Sequence, residues 1–458
     1  MADTLDPANV HAVFKAYDVR GTVPDQIDET LARVTGRAFV QVVGASTVVV
    51  GQDMRPSSPG MAAAFAAGAA EAGADVVMIG LASTDQLYFA SGHLGLPGAM
   101  FTASHNPAQY NGIKMCRALA LPVGMETGLA EIRDLVCDPQ PVADGGPTGS
   151  ITERDVLDDY ATHLLTLAPV AGRRLKVVAD AGNGMAGHTA PAVFAKLGDQ
   201  VDLVPMYFEL DGSFPHHEAN PIEPANLVDL QERVVAEGAD IGLAFDGDAD
   251  RCFIVDERGR AVSPSTLTAL IASRELAKEP GATVIHNLIT SRSVPEIVTR
   301  LGGTPVRTRV GHSYIKATMA ETDAIFGGEH SGHFYFRDFW RADSGMLAAL
   351  HTLAALAETD RPLSELLAEF ELYVLSGEIN SEVADQVAVT AEIEATYADV
   401  DGVTTDRLDG LTVSHADWTF NVRPSNTEPL LRLNAEGRDE ATMVEVRDRV
   451  LAQIRRDR

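Results

Sequence analysis

Three stretches of this chain repeat one pattern, and that repeat limits the possible folds more than any other feature. Thr47–Gly80 reads TVVVGQDMRPSSPGMAAAFAAGAAEAGADVVMIG, Leu175–Pro205 reads LKVVADAGNGMAGHTAPAVFAKLGDQVDLVP, and Ala282–Gly311 reads ATVIHNLITSRSVPEIVTRLGGTPVRTRVG. In each, a run rich in β-branched residues meets a polar turn. A helical pattern follows, stops at Ala-Gly, Leu-Gly or Leu-Gly-Gly, and gives way to a second β-rich run. These are βαβ units, which imply parallel or mixed sheets covered by helices.

Downstream of each unit an apolar strand runs into a polar loop: AMFTASHNP, IGLAFDGDADR and AIFGGEHSGH. Ligand sites of open α/β sheets gather at such strand ends. After about Tyr373 the pattern changes to strand, loop, strand in LTVSHADWTFNVRPSNTEPLLRLNAEG, then a helix in DEATMVEVRDRVLAQIRR. At 458 residues the chain exceeds one compact core. The predicted fold is α/β with four domains. Three related α/β domains with mixed sheets span residues 1–150, 151–255 and 256–371, and a smaller α+β domain spans 372–458.

Charge and cysteine content narrow the function. A net charge of −29 repels nucleic acid and anionic membrane, so neither is an expected partner. It also repels a phosphate ester, whose counter-charges must then be gathered locally. The lysines are Lys15, Lys114, Lys176, Lys196, Lys278 and Lys316 alone, so a lysine inside a motif stands out. Cys116, Cys137 and Cys252 show no CxxC spacing and are odd in number, which argues against a disulfide framework or a zinc site. Neither a basic-then-apolar leader nor an eighteen-residue apolar run is evident, so a cytoplasmic protein is expected.

In AFDGDADR the aspartates 246, 248 and 250 alternate, and their carboxylates converge only if the loop curls around a cation; oxygen-only ligands suit Mg²⁺. Glu257 falls at the twelfth position of an EF-hand count, but Arg251 occupies the sixth, where glycine is needed, and the flanks are strand-like. A phosphoaspartate phosphatase also places Asp-x-Asp after a strand, and an acidic surface turn is the bland alternative. In FTASHNPAQYNGIK, Ser104 lies just past a strand; alone it reads more readily as a turn residue than as a nucleophile. Lys114 could reach back over the same cleft. GGEHSGH offers Glu329 and Ser331 to sugar hydroxyls, or is simply a glycine-rich turn. RPSNTEPLLR offers Arg423, Ser425, Asn426, Thr427 and Arg432 as a phosphate cradle.

Taken together, TASHNP, DGDADR, GEHSGH and RPSNTEP resemble, in order, spacing and domain position, the four loops of the α-D-phosphohexomutase superfamily. FKAYDVRG, Phe14 to Gly21, resembles its N-terminal signature, so the likeness covers nearly the whole chain. The resemblance implies a heart-shaped arrangement with a central cleft. It also implies a phosphoryl group carried on Ser104, and Mg²⁺ held by that phosphoserine with Asp246, Asp248 and Asp250. Lys114 would act as general acid/base, Arg20 and Arg251 would neutralise charge, and His312 and His333 would lie nearby. Tyr17, Glu329, Ser331, Arg423, Ser425, Asn426, Thr427 and Arg432 would bind substrate. The expected ligands are hexose phosphates and a hexose 1,6-bisphosphate, handled by a monomer or weak dimer.

Asn426 and His330 resemble the phosphomannomutase/phosphoglucomutase branch, since phosphoglucosamine mutases usually read S-G-T and G-E-Q in those loops. In HNLITS, Ile289 stands where relatives of the branch often carry lysine. A substrate contact is then lost, or is taken over by Arg292. The rival readings are a phosphoglucosamine mutase, a metal-dependent phosphatase and a non-catalytic sugar-phosphate binding protein.

Overall fold

The computed structural model describes residues 5–139, 148–424 and 430–456, with the side chains of residues 312 and 313 excepted. Two compact units emerge: Met1–Ser263 with Ser331–Ser364, and Pro264–His330 with Glu365–Arg458.

All three repeats fold as parallel βαβ units. In the first unit, strands Thr47–Gln52 and Asp75–Leu81 flank helix Ser58–Glu71, and strands Leu175–Asp180 and Val201–Met206 flank helix Ala186–Leu197. In the second unit, strands Thr283–Asn287 and Thr304–Thr308 flank helix Ser293–Arg300. The helices stop where the sequence says they should, because Gly73, Gly198 and Gly302 take positive φ (90°, 54° and 82°), which other residues adopt only with strain.

Each sheet of the first unit mixes directions. Thr47–Gln52 pairs in parallel with Gly98–Phe101, which pairs antiparallel with Tyr110–Arg117, which pairs antiparallel with Val19–Thr22. Ile241–Phe245 runs parallel to Leu175–Asp180 and antiparallel to Cys252–Asp256. The all-buried strands Gly98–Phe101, Ile241–Phe245 and Cys252–Asp256 read as continuous apolar runs because helices cover both faces.

The C-terminal part of the second unit is one antiparallel sheet, ordered Val374–Glu382, Leu430–Gly437, Trp418–Pro424, Leu411–Ser414, Thr404–Asp406. Alternation sends Val413, Phe420, Val422, Leu431 and Leu433 to one face, packed with Ile393, Val446 and Val450 of helices Gln386–Tyr397 and Glu440–Ile454. Thr412, Asn421, Asn434 and Glu436 line the opposite, polar face. Asp439 caps the last helix by accepting from the Thr442 N–H. Three α/β assemblies plus an antiparallel α+β assembly are what the sequence predicts. No helix among the described residues is long and apolar enough to cross a membrane.

Candidate active site

Ser104 follows the buried strand Gly98–Phe101 and has φ 51°, a left-handed conformation that costs a non-glycine residue energy and therefore has to be imposed by its surroundings. Those surroundings are specific. The Ser104 N–H donates to Thr102 Oγ1, and the fully buried Arg55 donates to the carbonyls of Ser104, Asn106, Pro107 and Tyr110 at 2.6–3.0 Å. Arg55 thereby fastens the whole serine loop, with Asp53 as its buried counter-ion at 3.2 Å. Gly247 of the aspartate loop packs so close that a Cβ there would lie 2.4 Å from the Ser104 carbonyl oxygen. The two loops are consequently held in register by backbone contact.

Within this contact Ser104 Oγ donates to Asp246 Oδ2 at 3.0 Å and lies 3.2 Å from His105 Nδ1. Burial, reinforced by the Arg251 and Arg20 charges, pushes His105 well below the usual histidine range. Arg251 donates to Asp246 through Nε at 2.8 Å and also contacts His105 Nδ1. Arg20 donates to the Ala103 carbonyl and to Asn106 Oδ1, and pairs with Asp18. Both arginines named from the sequence thus meet the serine loop.

The three aspartates are buried and offer oxygen atoms within 4.8 Å of one another. Lys114 donates to Asp248 Oδ2 at 2.7 Å and Asp250 Oδ2 at 2.6 Å. Burial alone would lower the Lys114 pKa, but the two carboxylates outweigh it and hold the ammonium well above its ordinary range. Burial and the like charges of Asp250 and Asp248 raise Asp246, against the pull of Arg251. Asp248 is also penalised by burial, yet Lys114 and the hydroxyl of Thr84 at 2.6 Å bring it below the carboxylate range. Asp248 Oδ1 and Asp250 Oδ1 are buried with no hydrogen-bond partner among the described residues. Buried carboxylate oxygens free of hydrogen bonds among the described residues, in an all-oxygen cluster, fit a hard divalent cation.

His333 sits in the same unit, 3.7 Å from Asp250, with its Nδ1 2.9 Å from Ser331 Oγ. Tyr17 is half-buried in the turn before strand Val19–Thr22. Glu257 accepts from the Ser364 N–H and hydroxyl, so the twelfth-position carboxylate of an EF-hand count takes no part in the cluster.

In the second unit Glu329 is buried at the end of strand Phe326–Gly328, accepting from Asn287 Nδ2 and the Gly311 N–H. Arg423 and Arg432 are cross-strand neighbours on the polar sheet face. His312 opens helix His312–Thr322, its side chain outside the described residues, as are Ser425, Asn426 and Thr427. Ile289 lines a cavity of about 110 Å³ with His286, His330, Asn421 and Glu436. Arg292, the residue that would take over the contact of a missing lysine, lines the same cavity. Its guanidinium donates to the carbonyls of His415 (2.7 Å) and Ala416 (3.3 Å) and lies over the Tyr373 ring, 4.8 Å from the centroid. It is a strut of the C-terminal sheet.

Sequence reasoning missed Arg55, Thr84 and His105. The Asp53-x-Arg55 pair at a strand end was the available signal for the first. Nothing local marks Thr84, whose partner lies 164 positions away.

Four successive segments match families described as phosphoglucomutase/phosphomannomutase: alpha/beta/alpha domain I over residues 11–138, domain II over 158–259, domain III over 263–373, and the C-terminal domain over 378–453. A phosphomannomutase of Salmonella montevideo is 40% identical over 449 residues, covering 96% of this chain and 98% of the relative. A protein of Xanthomonas campestris described as "phosphohexose mutases" is 40% identical, covering 97% and 99%. The crystal structure of a phosphoglucomutase/phosphomannomutase family protein from Burkholderia thailandensis superposes with a TM-score of 0.87 at 33% identity, covering 97% and 98%. The chain belongs to the phosphoglucomutase/phosphomannomutase family.

Proposed function

We propose that this chain is a cytoplasmic phosphomannomutase that interconverts mannose 1-phosphate and mannose 6-phosphate, and glucose phosphates as well, through a phosphorylated Ser104 and a hexose 1,6-bisphosphate. Such an activity supplies mannose 1-phosphate for GDP-mannose. The observation that carries the reading is the meeting of Ser104 Oγ with Asp246 at 3.0 Å beside two further carboxylates and a lysine. A 40% identity to phosphomannomutases over nearly the full chain supports the sugar.

Asp246, Asp248 and Asp250 would hold Mg²⁺ together with the phosphoserine; bound there, the ion supplies positive charge against phosphoryl oxygens. The chain's own groups do the rest. Arg251 and Arg20 add fixed positive charge beside Ser104, where a phosphoserine brings about −1.5 to −2 at pH 7. A sugar hydroxyl oxygen forms its bond to phosphorus as the Ser104 Oγ–P bond breaks. The proton leaving that hydroxyl ends on the departing Ser104 Oγ, with Lys114, in reach of the cluster, as the general acid/base that takes it up and passes it on. After the bisphosphate turns around, the reverse transfer returns its other phosphoryl group to Ser104. Phosphoryl transfer of this kind is mostly positioning and charge stabilisation. Glu329, Ser331 and Tyr17 take sugar hydroxyls in this reading, with His312 and His333 beside them, and Arg423, Ser425, Asn426, Thr427 and Arg432 hold the non-reacting phosphate. The domain limits 1–150, 151–255, 256–371 and 372–458, and a monomer or weak dimer without nucleic-acid or membrane partners, belong to the same proposal.

A coupled assay with mannose 1-phosphate and glucose 1-phosphate, Mg²⁺ and a trace of glucose 1,6-bisphosphate tests it beside Ser104→Ala. Rapid formation of 6-phosphate that falls about 10³-fold or more in the variant is expected. Turnover of neither sugar, with turnover of glucosamine phosphate, would replace the sugar; phosphate release independent of bisphosphate would replace the reaction class.

A further inference from the structure

On the polar face of the C-terminal sheet, beside the two arginines assigned to the phosphate, stands a glutamate that the reaction does not yet explain, Glu378. Arg423 pairs across the strands with Arg432, which pairs with Asn380. The next row along is Asn421, Asn434 and Glu378. Glu378 reaches this face because the ladder slips between Leu375 and Glu378: two steps on strand Leu430–Gly437 are matched by three on Val374–Glu382. Gly377 absorbs the bulge at φ 69°, and Ser376 Oγ accepts the Ala435 N–H.

So aimed, one carboxylate serves two guanidinium groups. Glu378 Oε1 is 3.3 Å from Arg432 Nη1, and Oε2 is 3.9 Å from Arg423 Nη2. Neither contact is a close bidentate pair. The Nε–H groups of both arginines are buried and find no acceptor among the described residues. Among the described residues the pair is thus charged, held together and short of acceptors, the condition of an anion site filled by a stand-in. A dianionic phosphate bound to both arginines must also approach the glutamate, which repels it.

We propose that Glu378 is a positioning residue that acts as a resident counter-anion: it keeps Arg423 and Arg432 side by side and makes their grip on phosphate weak enough to release. The inference rests on the reading that these arginines hold the non-reacting phosphate. Its chemical logic is the turnaround of the bisphosphate, during which the gripped phosphate must leave and the other must take its place. Binding that is equally tight throughout would slow that exchange without helping transfer.

The test uses full-length Glu378→Gln and Glu378→Asp, with Arg423→Gln and Arg432→Gln alongside, each checked for folding by urea denaturation. Inorganic phosphate is the probe, read by calorimetry and as a competitive inhibitor, together with KM and kcat for mannose 1-phosphate. Glu378→Gln is expected to bind phosphate about 5-fold more tightly, with a lower KM and a lower kcat. Glu378→Asp keeps the charge and stays near the parent. Phosphate binding that is unchanged or weaker in Glu378→Gln, while the arginine variants lose it, overturns the role of Glu378 alone. If the arginine variants bind phosphate as the parent does, the phosphate reading of Arg423 and Arg432 fails and takes the inference with it.

Discussion

The serine–aspartate cluster and the arginine pair of the C-terminal sheet are both charge assemblies, but they are built in opposite ways. Around Ser104 most charges are buried and several are answered more than once: Arg55 by four carbonyls and Asp53, Asp248 by Lys114 and Thr84, Asp246 by Arg251 and Ser104. On the C-terminal sheet, Arg432 is about a third exposed and shares a single carboxylate with Arg423. Buried, over-determined charges fix geometry at the cost of tolerance. Part-exposed pairs contribute little to stability and leave the groups free to change partner. The first suits a covalent site, the second a site that must bind and let go.

That contrast can be broken by substitution. Asp248→Asn removes a charge from the buried cluster while keeping its shape, and the mutase rate is expected to fall by about 10²–10³-fold at saturating Mg²⁺. A loss of under threefold would show that the cluster is structural. Arg55→Leu, which touches no substrate, is expected to cost about 3–5 kcal/mol in urea denaturation, because it strands Asp53 and frees the serine loop. By the same measurement Arg432→Gln should cost under about 1 kcal/mol while raising KM, and a large stability loss there would erase the distinction.

The remaining effect concerns pH. Asp85 is fully buried, accepts from Tyr160 and Ser344, and contacts the Ser83 hydroxyl; burial raises its pKa to about 6. Because the folded value lies above the unfolded one, the folded state binds the proton more tightly. This group therefore adds stability as pH falls from about 6 toward 4, and the gain is lost as pH rises again through 6. Its contribution is at most about 3 kcal/mol. Relative to Asp85→Asn, the parent should gain stability across that window; parallel curves would remove Asp85 from the account.

The repeats were legible because they depend on local rules. Alternation, helix periodicity and glycine stops lie within about thirty residues of one another, and all three βαβ units fold where the sequence predicts. The loops were legible for a related reason: Ser104 and the alternating aspartates sit at strand ends, where sheets expose ligand groups. Other assignments needed the fold. The partners of Arg292, carbonyls at positions 415 and 416, lie more than 120 positions along the chain. Thr84 carries no local signal of its role, and Arg55 only the nearby Asp53, since their partners are 164 and about 50 positions away.

By itself, then, the sequence determined the kinds of unit, their order, and which loops carry chemistry, because hydrophobic periodicity and motif spacing are written in neighbouring residues. Only the tertiary structure decided which charges neutralise one another, which carboxylate oxygens lack a hydrogen bond among the described residues, and that a one-residue bulge turns Glu378 toward two arginines. Burial and Coulomb interaction act through space, and chain order does not encode distance in space until the sheets have closed.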